Sequence, residues 1–353
     1  MSGDLDLERR YRRVLRLLPG YYRDKWEEDM VAAFLDSWLT GDPDEDDAVL
    51  EFCAPTWAEV ASVVGLAVRL YLGGACAPPR YFAWGQAIRR AVLAVVLVQA
   101  VRGLDILVRT AWSHRAFGWV PAPPASMSVG TPGGILPPTV WYLVAYAWIV
   151  SFVALVLGRY RTAQFIAALA IVPDLVFLLH RQFTGALPPT PLGPWAFWIL
   201  INLAPVLAMT AFHRDAPPTA RWPWLLALPV GYLLVAVPLL ALQVTGNTAW
   251  LPDFSGLYCV LVALACLAYA PRAWSRRSAG SGVWSLTFTL LAADAGAYRI
   301  ASLTDYPHDP HLIAVSLAEL LILAVAAALV ALDAVRAQTA TPAPPRPHLG
   351  YPG

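Results

Sequence analysis

The sequence predicts an all-α protein, with an N-terminal cytosolic three-helix domain followed by a polytopic bundle of about eight transmembrane helices. Three observations lead there. The 353 residues are 58% hydrophobic and only 14% charged, with a mean hydropathy of +0.55. A soluble domain carries about 25% charged residues, so this chain has too few to cover a water-facing surface. The charge is also divided: residues 1–80 hold 9 Lys/Arg against 15 Asp/Glu, and residues 81–353 hold 16 against 9. An acidic, wet front end thus precedes a basic, apolar body. Finally, apolar runs of about 20 residues recur through the body, the length that crosses a hydrocarbon layer of about 30 Å.

The front domain, residues 1–80, opens with Leu7, Tyr11, Val14, Leu15 and Leu18 at helical spacing and arginines on the other face, which predicts a helix over 5–18. Pro19-Gly20 ends it. A second helix is expected over 22–39, with Trp26, Met30, Phe34 and Leu35 inward, stopped by Gly41-Asp42-Pro43. The acidic run through Asp42, Asp44, Glu45, Asp46 and Asp47 reads as a solvated loop. Thr56-Trp57-Ala58-Glu59 has the form of a capping box, in which threonine accepts from an orphan N–H and glutamate reaches back to the cap. It opens a third helix, which ends near Leu72 before Gly73-Gly74. Trp26 and Trp57 are both expected to be needed for this domain to fold.

In the body, residues 81–335, eight apolar segments qualify as spans: 88–110, 138–158, 162–180, 193–212, 222–243, 254–271, 282–303 and 311–333. Pro/Gly clusters at Pro121–Pro138 and Leu187–Pro194 mark loops. Arg159, Arg161, Arg214, Arg221, Arg272, Arg276 and Arg277 fall in alternate loops, and the intervening loops hold only Arg115 and Arg181. The positive-inside rule puts the richer side, and both termini, in the cytosol of a plasma-membrane protein. Trp141, Trp195, Trp222, Trp250 and Trp284 lie at span ends, where an amphipathic ring prefers the headgroup region. Pro173, Pro205, Pro229 and Pro238 fall inside spans as expected kinks. The two halves do not align in charge or proline, so no inverted repeat is read. Residues 336–353, with PAPPRPHLGYPG, are a disordered proline-rich tail by composition.

The segment RYRRVLRLLPGYYRDKWEEDMVAAFLD (Arg10–Asp36), followed by PTWAEVASVVGLAVRLYLGG, resembles the short helical domains that precede membrane spans in many actinobacterial proteins. These are the permease-prefix domains and the related HAAS signalling domains. The shared pattern is Leu-Leu-Pro, an aromatic, Arg, then Glu-Glu-Asp-Met, and a second block built like Glu59–Leu72, covering about the first quarter of the chain. The resemblance implies a regulatory or signalling role, through association with PadR-type regulators or with export systems. One departure points away from an export permease: no external segment between spans is long enough for a large extracytoplasmic domain.

Charged residues inside spans point to chemistry, because each is costly in a bilayer and turns toward the bundle interior or a wet cavity. They are Arg102 and Asp105 in the first span, Asp174 in the third, Asp294 and Arg299 in the seventh and Glu319 in the eighth. Arg102 and Asp105, at i and i+3, can pair on one helix face. Asp294 and Arg299 are five apart, so each looks to another helix, and Ala292-x-x-x-Gly296 and Ala293-x-x-x-Ala297 would let a neighbour come close. Opposite charges nearly balance, and Glu319, within the apolar run Leu312–Leu332, stands outside that balance. Two readings follow: a polar pathway for a small solute or ion, or satisfied pairs that fix the helix arrangement. The loop Thr304–His311 holds two His and two Asp, yet its prolines stiffen it away from a simple chelate, and no metal is expected. His180 and Arg181, at the outer end of the third span, read as interfacial anchors, with attraction of anions as the alternative, and Cys259 and Cys266, seven apart, read as packing residues rather than a redox pair. No Walker A, G-x-S-x-G or H-E-x-x-H motif is present, so the expectation is no enzyme, no catalytic residue, no cofactor and no nucleic-acid partner. The expected partners are the lipid bilayer and a protein bound through residues 1–80.

Overall fold

The computed structural model of the chain describes residues 4–39, 53–74, 77–113, 137–184, 192–212, 220–244, 254–275, 281–303 and 310–339. The Gly41-Asp42-Pro43 stop, the acidic run 42–47, Cys76, Arg115, Arg214, Trp250, Arg276, Arg277, the loop 304–309 and residues 340–353 of the expected tail lie outside them, while residues 336–339 of that tail are helical. The side chains of Trp141, Arg181 and Trp195 lie outside them as well.

The described residues form eleven α-helices: α1 (Asp4–Leu15), α2 (Gly20–Trp38), α3 (Trp57–Tyr71), α4 (Pro79–Ser113), α5 (Pro138–Val156), α6 (Tyr160–Thr184), α7 (Leu192–Ala208), α8 (Arg221–Val244), α9 (Phe254–Ser275), α10 (Ser281–Ser302) and α11 (Pro310–Thr339). A 3-10 turn, Met209–Ala211, extends α7. The chain divides into two compact units, the first within Met1–Gln86 and the second from Ala87 onward.

In the first unit the apolar face of α1 is buried as its spacing requires. Leu7, Tyr11, Leu15 and Leu18 meet Val31 and Phe34 of α2 and Val63, Ala67 and Leu70 of α3. The rings of Tyr11 and Phe34 stack at 3.9 Å. Outside this core, Arg12 contacts Glu8 at 2.7 Å and forks onto both oxygens of Glu28 at 2.8 Å. That pairing holds the Glu28 carboxyl below its ordinary range. The capping box of α3 is complete, since the Glu59 N–H donates to Thr56 Oγ1 and the Thr56 N–H donates to Glu59. The same glutamate accepts from Trp38 Nε1 at 2.9 Å. Two expectations are corrected here. Trp26 is 40% exposed and Trp57 is 88% exposed, so neither is a core residue. Leu7, Leu15 and Leu18 fill the centre of this small unit and leave the larger rings at its surface.

The end of α3 shows why glycine is needed there. Gly73, at φ 81°, follows the last helical turn, and the Gly74 N–H reaches back to Arg69 O at 2.8 Å, which forms a Schellman cap. The same arrangement, with Gly158 at φ 84° and the Arg159 N–H on Ala154 O, closes α5 and turns the chain into α6.

In the second unit α5, α6 and α7 share one apolar cluster, and α9, α10 and α11 share another. Helix α4 contributes to both: Val92, Leu93, Val96 and Ala100 to the first, Ala91 and Val95 to the second. Helices α6, α7, α8 and α9 run on through Pro173, Pro205, Pro229, Pro238 and Pro271. Among the described residues, four helical segments are long and apolar enough to cross a membrane: Pro79–Trp112, Tyr160–Phe177, Phe254–Ser275 and Pro310–Thr339. Shorter apolar stretches occur at Tyr142–Val156, Ala196–Ala211 and Arg221–Val235. Trp222 and Trp284, at helix starts, are 75% and 41% exposed.

A Cβ at Gly85 would overlap Leu72 O, within the first unit. Alanine favours a helix over glycine by about 1 kcal/mol, but overpacking against backbone costs more, typically about 1–3 kcal/mol. Gly85→Ala is therefore expected to lower the thermal unfolding midpoint, and an unchanged or raised midpoint would contradict this packing.

Candidate functional site

The charges carried by α10 are sorted by helical geometry. Asp294 and Arg299 are five positions apart, which turns them about 140° from each other at roughly 100° per residue. Asp294 faces α9 and accepts from the Tyr258 hydroxyl at 2.9 Å. Arg299 faces both α9 and α11. Its Nη1 donates to Ser255 Oγ at 3.0 Å, and its Nη2 lies 2.7 Å from Glu319 Oε2 as an ion pair. The side chains of Arg299 and Glu319 are only 2% and 10% exposed. Ser255 donates in turn to Ser302 Oγ at 2.9 Å, and Ser302 donates to Arg299 O.

Glu319 therefore does not stand outside the charge balance, as its place in an apolar run suggested. It is the partner of Arg299. A Cβ at Gly296 of α10 would meet Leu323 of α11 at an ordinary 3.6 Å. A closer approach lies elsewhere, at Gly103, where a Cβ would overlap Ala145 O of α5.

On α4 the expected pair does not form. Asp105 bonds instead to Arg109 at 2.7 Å, one turn further along the same helix face. Arg102 is drawn the other way. It donates to the Tyr298 hydroxyl and lies 5.8 Å from the Trp198 ring and 6.0 Å from the Tyr298 ring. A desolvated cation over an aromatic face gains about 2 kcal/mol. Among the described residues Arg102 has no carboxylate partner. Asp174 of α6 is half-buried, makes no hydrogen bond or ion pair among them, and feels the charge of Arg102.

Neighbouring polar groups tie α4 to α7. Gln99 donates to Asn202 Oδ1 at 2.9 Å, and Asn202 donates to Trp198 O. Arg89, 2% exposed, donates to Ala211 O at the end of the 3-10 turn, a cation at a helix C-terminus. Sequence reasoning missed Arg89, Arg109, Tyr258 and Tyr298. The i, i+4 spacing Asp105/Arg109 was the available signal. Cys259 and Cys266 are buried and unbridged, with Cys259 Sγ donating to Ala295 O. Among the described residues no three metal-ligating side chains gather.

The first unit offers a different feature, an open groove of about 300 Å³ lined by Tyr11, Met30, Ala58, Glu59, Ser62, Val63 and Leu66. Searches against protein-family models, curated proteins and solved structures find no match to this chain. The class its fold defines is an all-helical protein with helices able to span a membrane.

Glu319→Ala would leave the Arg299 guanidinium buried without its carboxylate, a loss of about 3–5 kcal/mol. A double replacement, Arg299→Met with Glu319→Leu, is expected to recover most of it. Thermal unfolding in detergent compares the two, and equal losses would contradict the pairing.

Proposed function

We propose that this is a plasma-membrane interaction protein of the regulatory type, whose bundle of about eight spans anchors it with both termini in the cytosol. Its first unit, a three-helix domain, binds a protein partner. The observation that carries this reading is the groove, with an apolar lining from Tyr11, Met30, Val63 and Leu66 and polar groups from Glu59 and Ser62. Trp57, exposed at the start of α3 beside Ala58, adds the kind of aromatic surface that dominates binding energy in interfaces. The resemblance of Arg10–Asp36 to permease-prefix and HAAS domains supports the same role. No catalytic, cofactor-binding or nucleic-acid-binding role is assigned.

Ala58 and Ser62 are exposed, so a larger side chain there fills the groove and spares the core. Full-length protein carrying Ala58→Trp is expected to lose roughly tenfold or more in partner capture from native membranes, with its unfolding midpoint unchanged. Capture equal to wild type, or none by wild type above background, overturns the reading.

A second reading, a small-solute or ion transporter, rests on Arg102 and Asp174, opposite charges that do not pair. Under it, Asp174→Asn abolishes pH-driven proton flux into proteoliposomes at unchanged protein abundance. Unaltered flux in that variant counts against transport.

A further inference from the structure

One end of the second unit gathers the start of α4, the end of α9, the start of α10 and the end of α11. Ala87, Leu286 and Ala334 pack together there, and Ser285 donates to Asp333. Arg90, Arg272 and Arg336 stand at the same end, and among the described residues none of them has a carboxylate within ion-pair distance. Two lie on aromatic faces: Arg90 is 4.4 Å from the Trp284 ring and Arg336 is 5.6 Å from the Trp274 ring. Asp333, the only acid in these turns, is 9% exposed and occupied by Ser285. A guanidinium resting on an indole keeps its N–H edge free, and that fork matches the oxygens of a phosphate.

The surface leading away from Arg336 is apolar. Helices α9 and α11 pack directly on each other. Leu264 and Leu267 on α9 are 57% and 41% exposed, and Leu321, Val325, Leu332 and Val335 on α11 are all more than half exposed. From Leu321 to Val335 is about 21 Å at roughly 1.5 Å per residue. One leaflet of the hydrocarbon layer is about 15 Å deep. A cationic, aromatic end therefore continues into an apolar strip long enough for an acyl chain.

We propose that Arg336 and Trp274, at an end of the unit that Arg272 also makes basic, bind the headgroup phosphate of an anionic phospholipid whose acyl chain lies along α9 and α11. A zwitterionic headgroup is disfavoured because its ammonium meets the arginines.

The test uses full-length protein in detergent, with native mass spectrometry reading bound phosphatidylglycerol against phosphatidylcholine. Wild type is expected to retain the anionic lipid about tenfold over the zwitterionic one, and inorganic phosphate is not expected to displace it. The double variant Arg272→Ala, Arg336→Ala loses that preference, while the charge-matched control Arg159→Ala, Arg161→Ala keeps it. No preference in wild type, equal effects in both double variants, or displacement by inorganic phosphate overturns the proposal. Photolabelling of wild type by a phosphatidylglycerol with a diazirine in its acyl chain needs no variant. Labels concentrated on Leu264–Trp274 and Leu321–Val335 support the site, and labels spread evenly over the helices overturn it.

Discussion

Helix α4 is buried on two sides at once, and the residues that do this alternate along it. Val92, Leu93 and Val96 enter the cluster of α5, α6 and α7, while Ala91 and Val95 enter that of α9, α10 and α11. A helix buried on both sides must send its polar groups to neighbours. Gln99 and Arg89 go to α7 and the turn that extends it, and Arg102 goes to Tyr298 of α10. These bonds fix the height of α4 against its neighbours, because apolar contacts alone allow sliding. Gly103 lets α5 approach at that same level.

Composition follows from the same arrangement. Helix α10 carries Ser285, Thr287, Arg299 and Ser302, all buried, and among the described residues it lacks a stretch apolar enough to count as a span by itself. A helix surrounded by others needs polar groups matched to partners rather than a lipid-facing surface. Helix α11 shows the opposite case, with Leu321, Ile322 and Val325 exposed and its one central acid turned to Arg299.

Much of the local structure was legible in the sequence. The face of α1, the Thr56–Glu59 box and the Gly73-Gly74 stop all depend on residues within a few positions of one another. The positions of the charged residues were legible too, but their partners were not. Arg299 and Glu319 belong to different helices, and their meeting depends on helix rotation, which no short spacing encodes. The i, i+3 and i, i+4 alternatives for Asp105 differ little in isolation, and Tyr298 decides between them by holding Arg102. Trp26 and Trp57 misled because a large apolar ring suggests a core, whereas a small unit fills its centre with leucine.

The bond between Arg102 and Tyr298 joins residues 196 positions apart. A ribosome adds roughly 5–20 residues each second, so Arg102 is made about 10–40 s before the phenol that will hold it. Trp198 arrives about midway. Before Trp198 is made the guanidinium has neither of its final neighbours, and after it only the indole. Helix α4 must wait in a setting that solvates a cation until most of the chain that follows it has been made.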